Sequence, residues 1–340
     1  MKKFYFILVV LCLAFVVNAQ DKEKKNFRIV SYNVENYFDA VDDSLTVDEE
    51  YLPTGIRAWN ISKYQTKQNN IAKVIAAIGG WDAPALVALC EIESEKCMRD
   101  LTQYSPLKNL GYNYLHHESS DARGVDVALM YQPEQFKPFH DEAIRINFTD
   151  TVYKTRDILF ASGILPNEDT LHVFVCHFPS RLGGELESED RRAFVASTLR
   201  AKVDSLFNAS REPNIVIMGD FNDYPTNSSI METLKARPLT EDIHNKGLYN
   251  LAFALQEKGK GSHKFEGEWG MLDQIIVSGS MLNAHSKIFT TQDDMHVFDA
   301  PFLLEEDAAF LGKKPFRTYV GMKYQGGFAD HLPVFVDLWY

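Results

Sequence analysis

Asn214-Ile-Val-Ile-Met-Gly-Asp-Phe-Asn-Asp-Tyr-Pro-Thr226 decides how the chain folds. Ile215 to Met218 is a continuous apolar run of strand length, the pattern of a strand buried on both faces. It stops at Gly219, two polar side chains follow at Asp220 and Asn222, and Pro225 prevents easy continuation. An acid and an amide at the end of a buried strand are costly to bury unpaired, so they belong in a cleft. Asp and Asn also terminate strands as simple turn formers, and this stretch alone leaves turn and chemistry both open.

The same form recurs along the chain. Phe27 to Asn33 reads as a strand that delivers Asn33 and Glu35 to its end. Ser62 is placed to cap a helix reaching Ile78, with Ile71, Val74, Ile75 and Ile78 on one face and Gly79-Gly80 after it. Ala85 to Cys90 is a second buried strand, ending in Glu91. This βαβ pattern predicts two parallel strands whose ends share one sheet edge. A helix over 94–105, an extended stretch over 112–117, a strand over 123–131 and a meander over 138–165 follow. Leu171 to Cys176 is a further buried strand and ends in His177. Ser188 is read as the cap of a helix over 190–207, which feeds Ile215 to Met218. In the last third, helices are expected at 228–235 and 249–256, and strands at 272–277 and 332–338. The segment 292–327 is expected to be irregular but packed by its aromatic residues.

The polar residues gathered from the strand ends are Asn33, Glu35, Glu91, His177, Asp220, Asn222, Asp273, Asp330 and His331. They are oxygen-rich, which suits Mg²⁺, with Mn²⁺ or Ca²⁺ as alternatives, better than zinc. Such a set can neutralise a phosphoryl group through a metal and orient an attacking water. Arg123 and Arg181 are candidate substrate contacts, and Arg317 is a weaker one. Asp126 lies in an apolar strand and needs a partner, for which His177 or Arg123 is expected.

Composition bounds the rest. The chain has 340 residues and a net charge of −12, which disfavours charge-driven nucleic-acid binding. A local divalent cation would compensate for this in a nuclease. Lys2 and Lys3 precede an apolar run from Phe4 to Val17, followed by Val17-Asn18-Ala19. Residues 1–19 are therefore expected to be a signal peptide and 20–340 a single domain, exported to the periplasm or beyond the cell. No membrane span and no protein partner are expected after cleavage. Cys90, Cys97 and Cys176 are too few for a disulfide framework.

Five stretches carry a resemblance. Ser31-Tyr-Asn-Val-Glu-Asn36, Leu89-Cys-Glu-Ile-Glu93, Gly219-Asp-Phe-Asn222, Leu272-Asp-Gln-Ile275 and Ala329-Asp-His-Leu-Pro333 resemble, in order, the motifs of the endonuclease/exonuclease/phosphatase superfamily. The resemblance implies a deoxyribonuclease I-like fold, a four-layered α/β sandwich of two mixed β-sheets with helices outside. It implies Glu91 as principal metal ligand, with Asn33, Glu35 and Asp330 beside it. It implies Asp220 and Asn222 as the water-orienting pair, His331 oriented by Asp273, and His177 on the phosphate from the opposite side. The expected activity is metal-dependent phosphoester hydrolysis, with a nuclease as the leading reading. A phosphatase or phosphodiesterase for small or lipid-linked phosphates is the alternative, and a non-catalytic binding module is a third.

Overall fold

The structure, a computed structural model, describes residues 25–148, 153–181, 183–239 and 242–340. The expected signal peptide over residues 1–19 lies outside them. The strands are β1 (Asn26–Tyr37), β2 (Leu86–Ile92), β3 (Asn113–His116), β4 (Asp126–Tyr131), β5 (Lys137–Ile144), β6 (Ile158–Ile164) and β7 (Thr170–His177). They continue with β8 (Asn214–Asp220), β9 (Ala236–Arg237), β10 (Leu248–Asn250), β11 (His263–Phe265), β12 (Glu268–Gly270) and β13 (Asp273–Ser278). Six more close the chain: β14 (Met295–Val297), β15 (Leu304–Glu306), β16 (Lys313–Pro315), β17 (Tyr319–Val320), β18 (Lys323–Tyr324) and β19 (Val334–Trp339). The longer helices are α1 (Ile61–Gly79), α2 (Glu95–Gln103) and α3 (Glu185–Ala209).

Two mixed sheets result. One has the order β14-β19-β1-β2-β4-β3 and the other β5-β6-β7-β8-β13-β10-β9. Strand alternation builds four layers from them. In β8, Val216 and Met218 enter the core between the sheets, where they join Ile29, Ala88 and Cys90 from the first sheet. Ile215 and Ile217 point the other way, onto Val195, Leu199 and Val203 of α3. Val30, Tyr32, Val87 and Leu89 pack outward against Ile71, Val74 and Ile75 of α1 and Met98 and Leu101 of α2. This is the expected α/β sandwich, and burial of both faces is why the central strands read as unbroken apolar runs.

The parallel pairs β1–β2 and β7–β8 each end at the same edge. The antiparallel neighbours β4, β13 and β19 begin there. Polar residues that close one strand and open the next in sequence therefore meet in space.

Several boundaries differ from expectation for local reasons. Asn60, not Ser62, caps α1, its side chain accepting from the backbone N–H groups of Ser62 and Lys63. Ser188 lies inside α3, its hydroxyl bonded back to the Gly184 carbonyl, and the helix begins at Glu185. The helix expected over 249–256 is split: Leu248–Asn250 pairs with β13, and a short helix follows over Phe253–Glu257. The 292–327 segment forms short hairpins whose Leu303 and Tyr319 enter the core beneath α1. Cys90, Cys97 and Cys176 are free and buried.

Gly219 is required where it stands. Its φ is +144°, and a Cβ there would lie 1.8 Å from the Cys176 carbonyl oxygen of the paired strand β7. Gly80, at φ +66°, has open space around it. Gly219→Ala is expected to cost on the order of 3 kcal/mol or more and Gly80→Ala about 1 kcal/mol. Urea denaturation followed by circular dichroism checks the difference; equal costs would contradict this account of the β7–β8 contact.

Candidate active site

The site lies where the two sheets present their polar strand ends. On the first sheet, β1 runs in register with β2 up to Asn33 and Cys90, then slips so that Tyr37 meets Ile92. The slip leaves Glu35, Asn36 and Glu91 with φ of 55°, 55° and 68°. Asn222, just past β8, has φ 49°. Left-handed backbone at non-glycine residues costs roughly 1–3 kcal/mol each, and it is concentrated here. These turns aim side chains that a regular strand would send to alternate faces.

Asp220 is the hub. Asn33 Nδ2 donates to its Oδ2 across the two sheets at 3.0 Å, and the Asn222 backbone N–H donates to its Oδ1 at 2.8 Å. Asn222 Nδ2 is anchored on the Phe178 carbonyl at 3.0 Å. Asp273 sits directly opposite Asp220 in the β8–β13 register. It accepts from His331 Nδ1 at 2.6 Å, and His331 Nε2 then faces Asp220 Oδ2 at 3.8 Å. His177 pairs in register with Asp220 on the other side, its Nε2 3.5 Å from Asp220 Oδ2 and 4.0 Å from Glu91 Oε1.

The two histidines are driven to opposite protonation states. Burial lowers the His177 pKa well below its ordinary value, and the Arg156, Arg123 and His331 charges lower it further. Its Nε2 faces two carboxylates while Nδ1 is buried without a partner among the described residues, so the neutral ring carries its proton on Nε2. Burial opposes charge on His331 too, but Asp273 and Asp220 outweigh it and raise its pKa well above the ordinary value. Burial also pushes the Asp220 carboxyl up to about 6, opposed by the His331 charge and assisted by Asp273. Paired groups pushed apart in this way are the arrangement of acid–base chemistry.

The four residues expected beside a metal are not equivalent. Glu91 Oε2 accepts from the Asn36 N–H at 2.8 Å, and no hydrogen bond reaches its Oε1 among the described residues. That open, hard oxygen fits a divalent cation. Asn33 is engaged at both ends, its Oδ1 accepting from the Glu35 N–H at 3.0 Å. Both oxygens of Glu35 are occupied: Oε1 by Arg317 Nε at 2.9 Å and Oε2 by the Thr318 N–H at 2.8 Å. Arg317 Nη2 bridges onward to Asp330 Oδ2 at 2.9 Å. Glu91 Oε1 and Asp330 Oδ1 are thus without a hydrogen bond among the described residues, whereas Glu35 anchors Arg317.

Three residues escaped the sequence reading. Lys67 is buried in α1, its Nζ donating to Thr318 Oγ1 at 2.6 Å and to the Phe328 carbonyl. Burial lowers its pKa to about 8, against the pull of Glu35 and Asp330. Its position between Tyr64 and Ile71 on the apolar face was the available signal. His263 stacks on His331 with ring centroids 4.8 Å apart, and one donor atom each from His263, Asp330 and His331 lie within 4.8 Å of one another. Arg156 is buried and holds the His177 and Phe178 carbonyls at 2.8 and 2.5 Å. Nothing local marked either of these last two.

The remaining candidates are placed otherwise. Arg181 donates to the Asn222 carbonyl at 2.7 Å, to Asp223 at 3.1 Å and to Asn227 at 2.9 Å, so it stiffens the loop after β8. Asp126 meets neither His177 nor Arg123. Its Oδ1 accepts from the Ser119 N–H at 3.1 Å, because the chain between β3 and β4 folds back over its end. Arg123 stays half exposed, 3.6 Å from Asp121.

A model of the Endonuclease/Exonuclease/phosphatase family matches residues 28–339. The chain belongs to this family. It is thereby a hydrolase of the phosphoesterase and nuclease group in general terms. Solved structures show the same fold at low identity. D. rerio TDP2 complexed with single-strand DNA product is 13% identical with a TM-score of 0.56, covering 92% of this chain and 99% of its own. The human Nocturnin catalytic domain with bound sulfate anion is 16% identical with a TM-score of 0.53, covering 93% and 97%. A mannosyl-6-phosphatase of Bacteroides thetaiotaomicron is 14% identical with a TM-score of 0.53, covering 92% and 99%. A search of curated proteins finds no match.

Arg317 keeps two close carboxylates neutralised, so Arg317→Ala leaves Glu35 and Asp330 facing each other. The expected result is a loss of about 1–3 kcal/mol, smaller than for a fully buried pair because Arg317 is partly exposed. Arg317→Lys recovers only part, since an ammonium lacks the planar fork. Thermal unfolding checks both; an unchanged midpoint for Arg317→Ala would contradict the bridge.

Proposed function

We propose that this chain is an exported, divalent-metal-dependent phosphoesterase acting on compact phosphoesters. The observation that carries the chemistry is the line from Asp273 through His331 to Asp220, facing the open Glu91 oxygen. Asp220, ionised above about pH 6, accepts the proton of the attacking water, and Asn33 and Asn222 hold its carboxylate in place. The water oxygen forms the new bond to phosphorus while the ester oxygen leaves. His331, as imidazolium, and neutral His177 through Nε2–H donate to the phosphoryl oxygens as charge builds on them. Glu91 and Asp330 would hold the cation, Mg²⁺ or Mn²⁺ by donor type, which neutralises phosphoryl charge.

The basic residues bear on substrate size. Arg181 and Arg317 are engaged by carboxylates and backbone within the protein, and Arg57 is paired with Glu50 and lies over Tyr51 and Tyr319. A net charge of −12 leaves little to follow a polynucleotide backbone. A pocket of about 180 Å³ beside Glu35, lined by Asn36, Tyr51, Arg57, Arg317 and Tyr319, has room for a small substituent. These features support a small substrate over the nuclease reading favoured by the sequence motifs. Export is supported by the basic and apolar leader, and no helix among the described residues is long and apolar enough to cross a membrane.

Turnover of p-nitrophenyl phosphate, bis-p-nitrophenyl phosphate, sugar phosphates, plasmid DNA and RNA, with and without EDTA, tests this reading. EDTA-sensitive hydrolysis fastest on the small esters is expected. The reverse ranking would restore a nuclease, and silence on all substrates would remove the enzyme reading. Glu91→Gln is expected to lose roughly 1,000-fold or more in turnover with the fold intact.

Asp273→Asn removes the charge that keeps His331 protonated, so its pKa falls. The imidazolium is then lost at lower pH, and the alkaline limb of the pH–rate profile should move downward, with turnover reduced roughly 100-fold. An unmoved limb would argue against a charged His331.

A further inference from the structure

We propose that His116, Glu118 and Asp126 form a second divalent-cation site, separate from the phosphoesterase centre and suited to Zn²⁺ or Mn²⁺. His116 ends β3 and Asp126 begins β4, adjacent strands in the first sheet, and residues 117–125 fold back over that end. The two side chains are nearly sealed from solvent, at 2% and 3% exposure. His116 Nε2 and Asp126 Oδ2 face each other at 3.6 Å, too far for a good hydrogen bond, and neither atom has a hydrogen-bond partner among the described residues. Two such atoms left unpaired would cost about 1–3 kcal/mol each.

Their separation matches a coordination edge. Donors about 2.0–2.2 Å from a tetrahedral ion stand roughly 3.3–3.6 Å apart. Glu118 supplies the third donor: one donor atom each from His116, Glu118 and Asp126 lie within 4.8 Å of one another. Asp126 Oδ1 is fixed by the Ser119 N–H at 3.1 Å, the kind of outer contact that orients a ligating carboxylate. One imidazole with two carboxylates is a borderline donor set, softer than that at Glu91.

The site has a place in the architecture. The 117–125 segment carries Asp121, whose Oδ2 lies 3.3 Å from Arg156 Nη1, and Arg156 holds the His177 and Phe178 carbonyls. An ion at His116, Glu118 and Asp126 pins this segment and so positions His177.

The test measures binding, so it stands apart from phosphoester hydrolysis. Equilibrium dialysis with Zn²⁺ and with Mn²⁺ is followed by elemental analysis of the Glu91→Gln chain, which keeps the new site. One tightly held ion per chain is expected. Adding Glu118→Gln, an exposed position that leaves the fold unchanged, should weaken it on the order of 10- to 100-fold. His116→Gln and Asp126→Asn should abolish it. Co²⁺ should give the visible absorption of a tetrahedral site in Glu91→Gln and lose it with Glu118→Gln. No ion bound in Glu91→Gln, as a bridging water would produce, overturns the proposal. So does binding unchanged by Glu118→Gln.

Discussion

The hydrogen bond from Asn33 Nδ2 to Asp220 Oδ2 joins the two sheets at the polar edge of their central strands. Everything else in the site depends on it. It is made possible because β1 and β8 are both partners in parallel pairs whose ends lie on one edge. An apolar core fills the space between the sheets up to Cys90 and Met218, and polar chemistry starts just beyond, at Glu91 and Asp220. The hub carboxylate is thus buried but satisfied, which is what allows it to be held near neutrality in charge preference without breaking the core.

Around that hub the electrostatics divide into two halves. On one side, Asp273 and Asp220 keep His331 charged. On the other, burial and the Arg156 charge keep His177 neutral. Behind both, Arg317 and Lys67 neutralise Glu35 and Asp330 from within the protein. The acidic residues of the cleft are therefore unequal: both Glu35 oxygens are occupied, while Glu91 Oε1 and Asp330 Oδ1 have no hydrogen bond among the described residues. Arg57, Arg181 and Arg317 are likewise committed to internal partners, whereas Arg123 stays half exposed.

The strands and their ends were legible because burial on both faces forces unbroken apolar runs, and the polar residues that stop them are conspicuous. Asn33, Glu35, Glu91, His177, Asp220, Asn222, Asp273, Asp330 and His331 were gathered this way, and the structure brings all nine to one edge. Boundaries that depend on side chain–backbone bonds were less legible: Asn60 rather than Ser62 caps α1, and Ser188 turns back onto its own helix. The region 249–256 was misread because three residues of strand and a single helical turn share one short apolar stretch.

The layered α/β sandwich was implied by the resemblance to a family; what the sequence by itself determined are the central strands and the identity of the residues at their ends. Those follow from periodicity and from the cost of burying polar groups, which act locally along the chain. Only the tertiary structure decided which of those residues are free. Arg317 reaches Glu35 across 282 positions, and Lys67 reaches Phe328 across 261. Arg181 turns inward to Asn222, and Asp126 turns to His116 and Ser119. Long side chains are committed by whichever distant partner the packing brings within hydrogen-bond reach, and no local pattern records that choice. At Gly219-Asp-Phe-Asn222 the two levels meet. The glycine is demanded by the neighbouring strand, and the Asp and Asn are given their roles by Asn33, Asp273 and Phe178.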